Sequence, residues 1–207
     1  METMQKVIVF DLGGVLVRIR QEWEARCRAA KVHCPLPNLH SQEALHRLYQ
    51  SYHAAEFGLD ALCQQISSLL EKRCSPDEAK EIHRAILNGE YPGVDDIITE
   101  LQAREHLTAL FSNTCGDHWE VLRTYPCVSR VERHFVSYQM GMVKPDLPAY
   151  RYLQESLQVE ADTILFFDDL LENIQAARRA GWRAEHITPN APRAEQLRHH
   201  LRCHELL

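Results

Sequence analysis

No stretch of this 207-residue chain approaches the ~20 consecutive apolar residues that a bilayer-crossing helix needs. The first residues run directly into an apolar strand pattern, so a secretory leader is not expected. There is no arginine-rich tract or basic face. The 23 basic and 29 acidic residues leave a net charge of −6 with histidines neutral, and a nucleic-acid partner is not expected. That negative total does not draw a phosphorylated ligand inward, so local cations have to do it. The 7 cysteines are an odd number without a C-x-x-C pair, which reads as reduced thiols in a cytoplasmic protein. Despite 12 histidines, no Cys/His spacing of a structural zinc site is present, and His199, His200 and His204 read as the solvated face of a terminal helix. Leu12-Gly13-Gly14 is neither a dinucleotide fingerprint nor a phosphate-binding P-loop, because G-x-G-x-x-G and G-K-[ST] are both missing. Repeats, low-complexity tracts and long linkers are also missing.

What remains is an ordinary globular composition, 45% apolar and 25% charged. The length suits one α/β domain or a domain with an insertion. Val7-Ile8-Val9-Phe10 reads as a buried strand. Residues 18–88 then read as helical: 21–30, 42–52 with Ser41 as its N-cap, 59–70, and a helix opened by the Ser75-Pro76-Asp77-Glu78 capping box and stopped at Asn88-Gly89. From residue 91 the rhythm alternates. Strands are expected at 107–111, 135–137, 164–167 and 183–187, with helices at 94–104, 117–124, 149–157, 170–180 and 191–201. Short apolar strands alternating with helices indicate a parallel sheet covered on both faces. The expected organisation is an α/β core of 1–17 with 89–207, interrupted by an all-helical unit at 18–88.

Ligands of open parallel sheets bind beyond the carboxyl ends of the strands. Asp11 follows the first strand, Ser112 and Asn113 the second, and Asp168 and Asp169 another, while Lys144 lies a few residues beyond 135–137. Each has a plain alternative. Asp11 suits a turn, Ser112 a local cap, Asp168 and Asp169 the start of a helix, and Lys144 a solvated loop. Capping does not explain why one edge gathers carboxylates, a hydroxyl and a lysine in this order.

That order carries a resemblance. Asp-x-Gly-Gly-Val-Leu after an apolar strand, Phe-Ser-Asn, Lys-Pro-Asp and Phe-Phe-Asp-Asp-x-x-x-Asn resemble the four motifs of the haloacid dehalogenase superfamily. The helical segment at 18–88 stands where that superfamily inserts a helical cap. Within it the chain looks like bacterial α-D-glucose-1-phosphate phosphatase-like proteins, and more distantly like the phosphatase domain of soluble epoxide hydrolases. The resemblance implies a Rossmann-like α/β sheet and a Mg²⁺-dependent phosphomonoester hydrolase acting on a small phosphorylated metabolite, with sugar phosphates among the candidates, without a nucleic-acid or membrane partner. It implies Asp11 as nucleophile and Ser112 and Lys144 as phosphoryl-binding groups, with Asn113 touching substrate or orienting Asp11. Asp11, the Gly13 carbonyl and Asp169 would hold the ion, and Asp168 and Asn173 would stand beside or behind them. Asp169 and Asn173, four apart, are expected on one helix face.

One departure stands out. Most phosphatases that the chain resembles carry a second aspartate two residues after the nucleophile, as acid and base; here that position is Gly13. General acid–base help is worth about 10²–10⁴ in rate. Slow turnover of alkyl phosphates is therefore expected, with sugar 1-phosphates and acyl phosphates affected less. Two other readings stay open: a metal-independent dehalogenase using the same nucleophile, and a non-catalytic binding or regulatory protein on this fold. His118 and Trp119 either border the pocket or pack in the core. Tyr49, Tyr52, His53, Glu56 and Phe57 form a polar-aromatic cluster in the helical unit, without an assigned role.

Overall fold

The computed structural model describes residues 6–34 and 39–207. A five-stranded sheet runs in the order β5-β4-β1-β6-β7, built from β1 (Val7–Phe10), β4 (Leu107–Ser112), β5 (Arg133–Val136), β6 (Ile164–Asp168) and β7 (Arg183–His186). All four pairings are parallel. Successive residues of β1 face opposite ways, as a strand requires. Ile8 and Phe10 pack with Leu110 and Phe167 on one side; Val7 and Val9 pack with Phe111, Phe166 and Trp182 on the other. Burial on both faces is what makes these strands continuous apolar runs rather than alternating ones. Helices α5 (Val94–Ala103) and α11 (Arg193–Cys203) cover the first face, and α9 (Leu147–Leu157) and α10 (Leu171–Arg179) cover the second. Three short helices, α6 (Gly116–Leu122), α7 (Pro126–Ser129) and α8 (Ser137–Met140), fill the connections. The last begins at Ser137, where the sequence suggested a strand.

Helices α1 (Trp23–Ala30), α2 (Leu39–His53), α3 (Leu59–Leu69) and α4 (Pro76–Arg84) surround an apolar cluster of their own, centred on Leu62, Ile66 and Ile82. Its border takes in Cys115, which comes from the end of the sheet. Helix α2 begins at Leu39, ahead of Ser41, whose side chain lies outside the described residues. Helix α4 starts on the reciprocal capping box, with Ser75 N–H donating to Glu78 Oε2 at 2.8 Å and Glu78 N–H donating to Ser75 Oγ at 3.2 Å.

The end of α4 corrects the sequence reading. It stops at Arg84, and Leu87–Glu90 forms strand β3, antiparallel to β2 (Val17–Ile19). Arg20 holds the junction by donating to the carbonyls of Ala85 and Leu87, each at 2.8 Å. A partner some 70 residues away claims this backbone, so Asn88-Gly89 lies in a strand although its local chemistry suits a helix stop.

Candidate active site

Asp11 is the first residue beyond the central strand, and its N–H donates to the Phe167 carbonyl at 2.9 Å. The neighbours of β1 are β4 and β6, so Ser112 and Asp168 emerge on either side of it. The loop after β5 brings Lys144 back over this edge. Lys144 is 2% exposed, and its Nζ donates to Asp11 Oδ1 at 2.8 Å and Asp168 Oδ2 at 2.6 Å. Asn113 fixes the lysine backbone: its Nδ2 donates to the Lys144 carbonyl, and the Lys144 N–H donates to its Oδ1, both at 2.8 Å. The structure thus places Asn113 as a clamp on Lys144, with an edge on the same cavity as Asp11.

Asp168 is wholly buried. It accepts from Lys144, from the Leu170 N–H at 2.8 Å and from Asn173 Nδ2 at 3.0 Å on each oxygen. Asn173 therefore serves Asp168. Helix α10 begins at Leu171, so Asp169 precedes it and does not share its face with Asn173. Asp169 instead accepts from Gln21 Nε2 at 3.2 Å. Its carboxylate folds back over Gly14, where an added Cβ would meet Asp169 Oδ2 at 2.1 Å. Gly14 also has φ +76°, a conformation L side chains rarely adopt. Gly13 differs: a Cβ there would meet only the flexible end of Ile19, at 3.0 Å.

One oxygen from each of Asp11, Asp168 and Asp169 lies within 4.8 Å of the others. Burial pushes Asp11 up to about 7 against the pull of Lys144, with Asp168 and Asp169 adding to the rise. Burial and then the charge of Asp168 push Asp169 up to about 6. Lys144 is raised: burial works against its charge, but Asp11 and then Asp168 outweigh it. One ammonium thus faces three carboxylates. A hard divalent cation suits such an all-oxygen set, and it would bring Asp11 and Asp169 back toward ordinary carboxylate values. The residues present fit Mg²⁺.

Above this edge lies a cavity of about 640 Å³. Its floor carries Asp11, Ser112, Asn113, Lys144 and Asp169, and its far wall carries Trp23, Arg26, Tyr49 and His53 from α1 and α2. The Arg26 guanidinium has no carboxylate partner among the described residues; it donates to the carbonyls of Arg20 at 2.7 Å and Gln21 at 2.9 Å. Nothing local singles it out, since it is one of several charged residues on α1. His118 reaches the cavity, while Trp119 packs in the core with its ring 5.2 Å from that of His134.

Known proteins place this architecture. Residues 5–181 match the haloacid dehalogenase-like hydrolase family. A HAD-like family hydrolase from Porphyromonas gingivalis superposes with a TM-score of 0.76 at 21% identity, over 97% of this chain and 99% of that one. A HAD family enzyme from Bacteroides thetaiotaomicron, crystallised with magnesium and inorganic phosphate, superposes with a TM-score of 0.68 at 21% identity, covering 88% of this chain and 93% of that one. At such identities the likeness is one of fold. A phosphatase of Mycobacterium tuberculosis (strain CDC 1551 / Oshkosh) is 44% identical over 48 residues, 23% of this chain and 22% of its own. The sesquiterpene phosphatase astK of Aspergillus oryzae is 35% identical over 69 residues, 33% of this chain and 35% of its own. The chain thus aligns with only about a third or less of these curated relatives. The family match, by contrast, takes in Asp11, Ser112, Lys144, Asp168 and Asp169 together, and the chain belongs to the haloacid dehalogenase-like hydrolases.

Proposed function

We propose that this chain is a Mg²⁺-dependent phosphomonoester hydrolase that forms an aspartyl-phosphate on Asp11. The observation that carries this reading is the Lys144 ammonium held between Asp11 and Asp168 at the floor of a ligand-sized cavity. Asp11 attacks phosphorus in line, the bond from phosphorus to the leaving oxygen breaks, and water then releases phosphate from the carboxylate. Ser112 and Lys144 donate to the phosphoryl oxygens, where charge has to be stabilised. Asp11, Asp169 and the Gly13 carbonyl would hold Mg²⁺, which would supply further positive charge to the same oxygens. Asp168, backed by Asn173, holds Lys144 in place.

In this reading residues 1–17 and 89–207 are the catalytic core and 18–88 are a cap that closes the cavity. Arg26, set in its far wall, offers the local cation that a net-negative chain needs to receive an anionic substrate. The substrate is a small phosphorylated metabolite. Gly13 supplies no proton to the leaving oxygen, so phosphates with stabilised leaving groups are the better substrates.

The test is phosphate release from a panel of sugar 1-phosphates, acyl phosphates, prenyl phosphates and simple alkyl phosphates, with Mg²⁺ and with a chelator. Prenyl phosphates belong there because one relative is named for sesquiterpene phosphates. Release should require Mg²⁺ and disappear in Asp11→Asn. A wild type inert across the panel would favour the binding-protein reading. Halide release from a haloacid that survives chelation would favour a dehalogenase, against which the Asp168-Asp169 pair argues.

A further inference from the structure

A second polar cluster is buried where α2 and α4 meet α6. His83, on α4, is 0% exposed; Cys115, just before α6, is 1% exposed; His118, on α6, is 6% exposed. With Asp117 these residues bring one nitrogen, sulfur or oxygen atom each to within 4.8 Å of one another. His83 Nε2 lies 2.8 Å from Asp117 Oδ2 and 3.7 Å from Cys115 Sγ. Zinc bonds of about 2.0–2.3 Å in a tetrahedron set neighbouring ligand atoms roughly 3.3–3.6 Å apart. Two of the six ligand-to-ligand separations are therefore already close to those of such a polyhedron.

The atoms that face away are held in the manner of ligands with a supporting shell. His118 Nε2 meets the His83 carbonyl at 3.0 Å, which leaves Nδ1 for an ion. His83 Nδ1 meets the Tyr49 hydroxyl at 3.3 Å, which leaves Nε2. Asp117 Oδ1 accepts from the Tyr52 hydroxyl, which leaves Oδ2. Tyr49 and His118 also line the cavity, so an ion has a way in. One movement is required. The His118 ring, stacked on that of His83 with centroids 4.1 Å apart, has to tilt for both nitrogens to point at one centre.

We propose that His83, Cys115, Asp117 and His118 bind a divalent transition metal of the zinc class, which ties α4 to α6. Two imidazoles, a thiolate and a carboxylate suit a borderline-soft ion, whereas the all-oxygen set at Asp11 suits a hard one. The two sites therefore sort their metals, and this one stands independently of the phosphatase reading. His83 lies 32 residues or more from Cys115, Asp117 and His118, which is why no zinc-finger spacing betrays the site.

The test is an optical titration of the full chain with Co²⁺ in excess Mg²⁺. It is run in a Cys203→Ser background, because Cys203 Sγ lies 3.8 Å from His199 Nε2 on the last helix and would add a thiolate of its own. One equivalent should give a thiolate-to-cobalt band in the near ultraviolet with the visible bands of tetrahedral Co²⁺, and one equivalent of Zn²⁺ should bleach both. Cys115→Ser should lose the near-ultraviolet band, with folding checked by circular dichroism. Tyr49→Phe, which keeps all four ligands, should weaken Co²⁺ binding about 10-fold. Asp11→Asn should leave the spectrum unchanged. Absence of the thiolate band from the Cys203→Ser chain at 10-fold excess of Co²⁺ would overturn the proposal and leave a hydrogen-bonded network. So would a band that persists in folded Cys115→Ser.

Discussion

The pocket around Asp11 takes its charges from residues that leave parallel strands or the loops just beyond them, whereas the cluster around Asp117 takes its members from helices whose neighbours in sequence say little. Asp11, Ser112 and Asp168 converge because β4, β1 and β6 lie side by side. His83, Tyr52 and Asp117 converge because α2 and α4 pack over α6, bringing together residues 34 and 65 positions apart. The electrostatics differ as well. The pocket holds more negative charge than its one lysine offsets, and Asp11 and Asp169 are raised. At Asp117 burial would also raise the carboxyl, but hydrogen bonds from His83 and Tyr52 outweigh it and hold the group well below the usual carboxylate range. The pocket at Asp11 is left short of positive charge, whereas at Asp117 hydrogen bonds to the outward atoms of His83, Asp117 and His118 hold the cluster in place and leave one atom of each turned inward.

Lys144 is the residue on which the pocket's charge balance depends most. Lys144→Met removes the one ammonium from between two buried carboxylates, and breaking a buried pair costs about 3–5 kcal/mol. Denaturant unfolding in chelator at pH 8 should show that loss. It should shrink toward pH 6, as Asp11 takes up a proton in place of the lost cation. A loss that does not change with pH would mean that the cost is one of packing. Next in size is Gly13→Asp, which restores a carboxyl where only the end of Ile19 has to yield. Turnover of alkyl phosphates should rise about 10²-fold, with acyl phosphates little changed. An equal rise for both would remove the leaving-group argument.

Tyr52→Phe probes the other cluster. Losing a hydrogen bond to a half-buried carboxylate should cost about 1.5–3 kcal/mol in urea unfolding, with Mg²⁺ affinity unaltered. A change in Mg²⁺ affinity would show the two clusters to be coupled. The smallest effect is the pH dependence of the metal response. The folded chain binds the Asp11 proton more tightly than the unfolded chain does, so this contribution to stability is full below about pH 4 and is lost as pH rises through about 7. Mg²⁺ competes with that proton. The rise in Tm that it produces should therefore grow from pH 5.5 to pH 8 by a few degrees, as about 1 kcal/mol does in a chain of this size. A constant rise would argue for binding elsewhere.

Much of the core was legible because its signals are local. Apolar runs as short as Val7–Phe10 are punctuated at once by polar residues, and the Ser75 capping box declares its helix in four residues. What escaped depended on distant partners. Val17–Ile19 is too short to read as a strand until Leu87–Glu90 pairs with it. Asp169 looked helical because Leu170, a poor capping residue, hides the start of α10. His83 had a signal that went unread: it falls with Ala79 and Ile82 on the buried face of α4, where an imidazole needs a partner. Tyr52 and the pair Cys115 and His118 are each visible as separate features, and only the packing of α2 and α4 over α6 brings them together with His83.

Cys115 follows the end of β4 yet packs among the side chains of α1–α4. The mechanical boundary of this molecule therefore does not coincide with the two chain crossings near residues 17 and 90. Swinging the four helices away from the sheet would have to draw this sulfur out from among them, so any such movement would pull on the stretch between β4 and α6, which begins with Asn113. Asn113 clamps the Lys144 backbone, so a chain engineered to open wider there would loosen its hold on Lys144 in the same stroke.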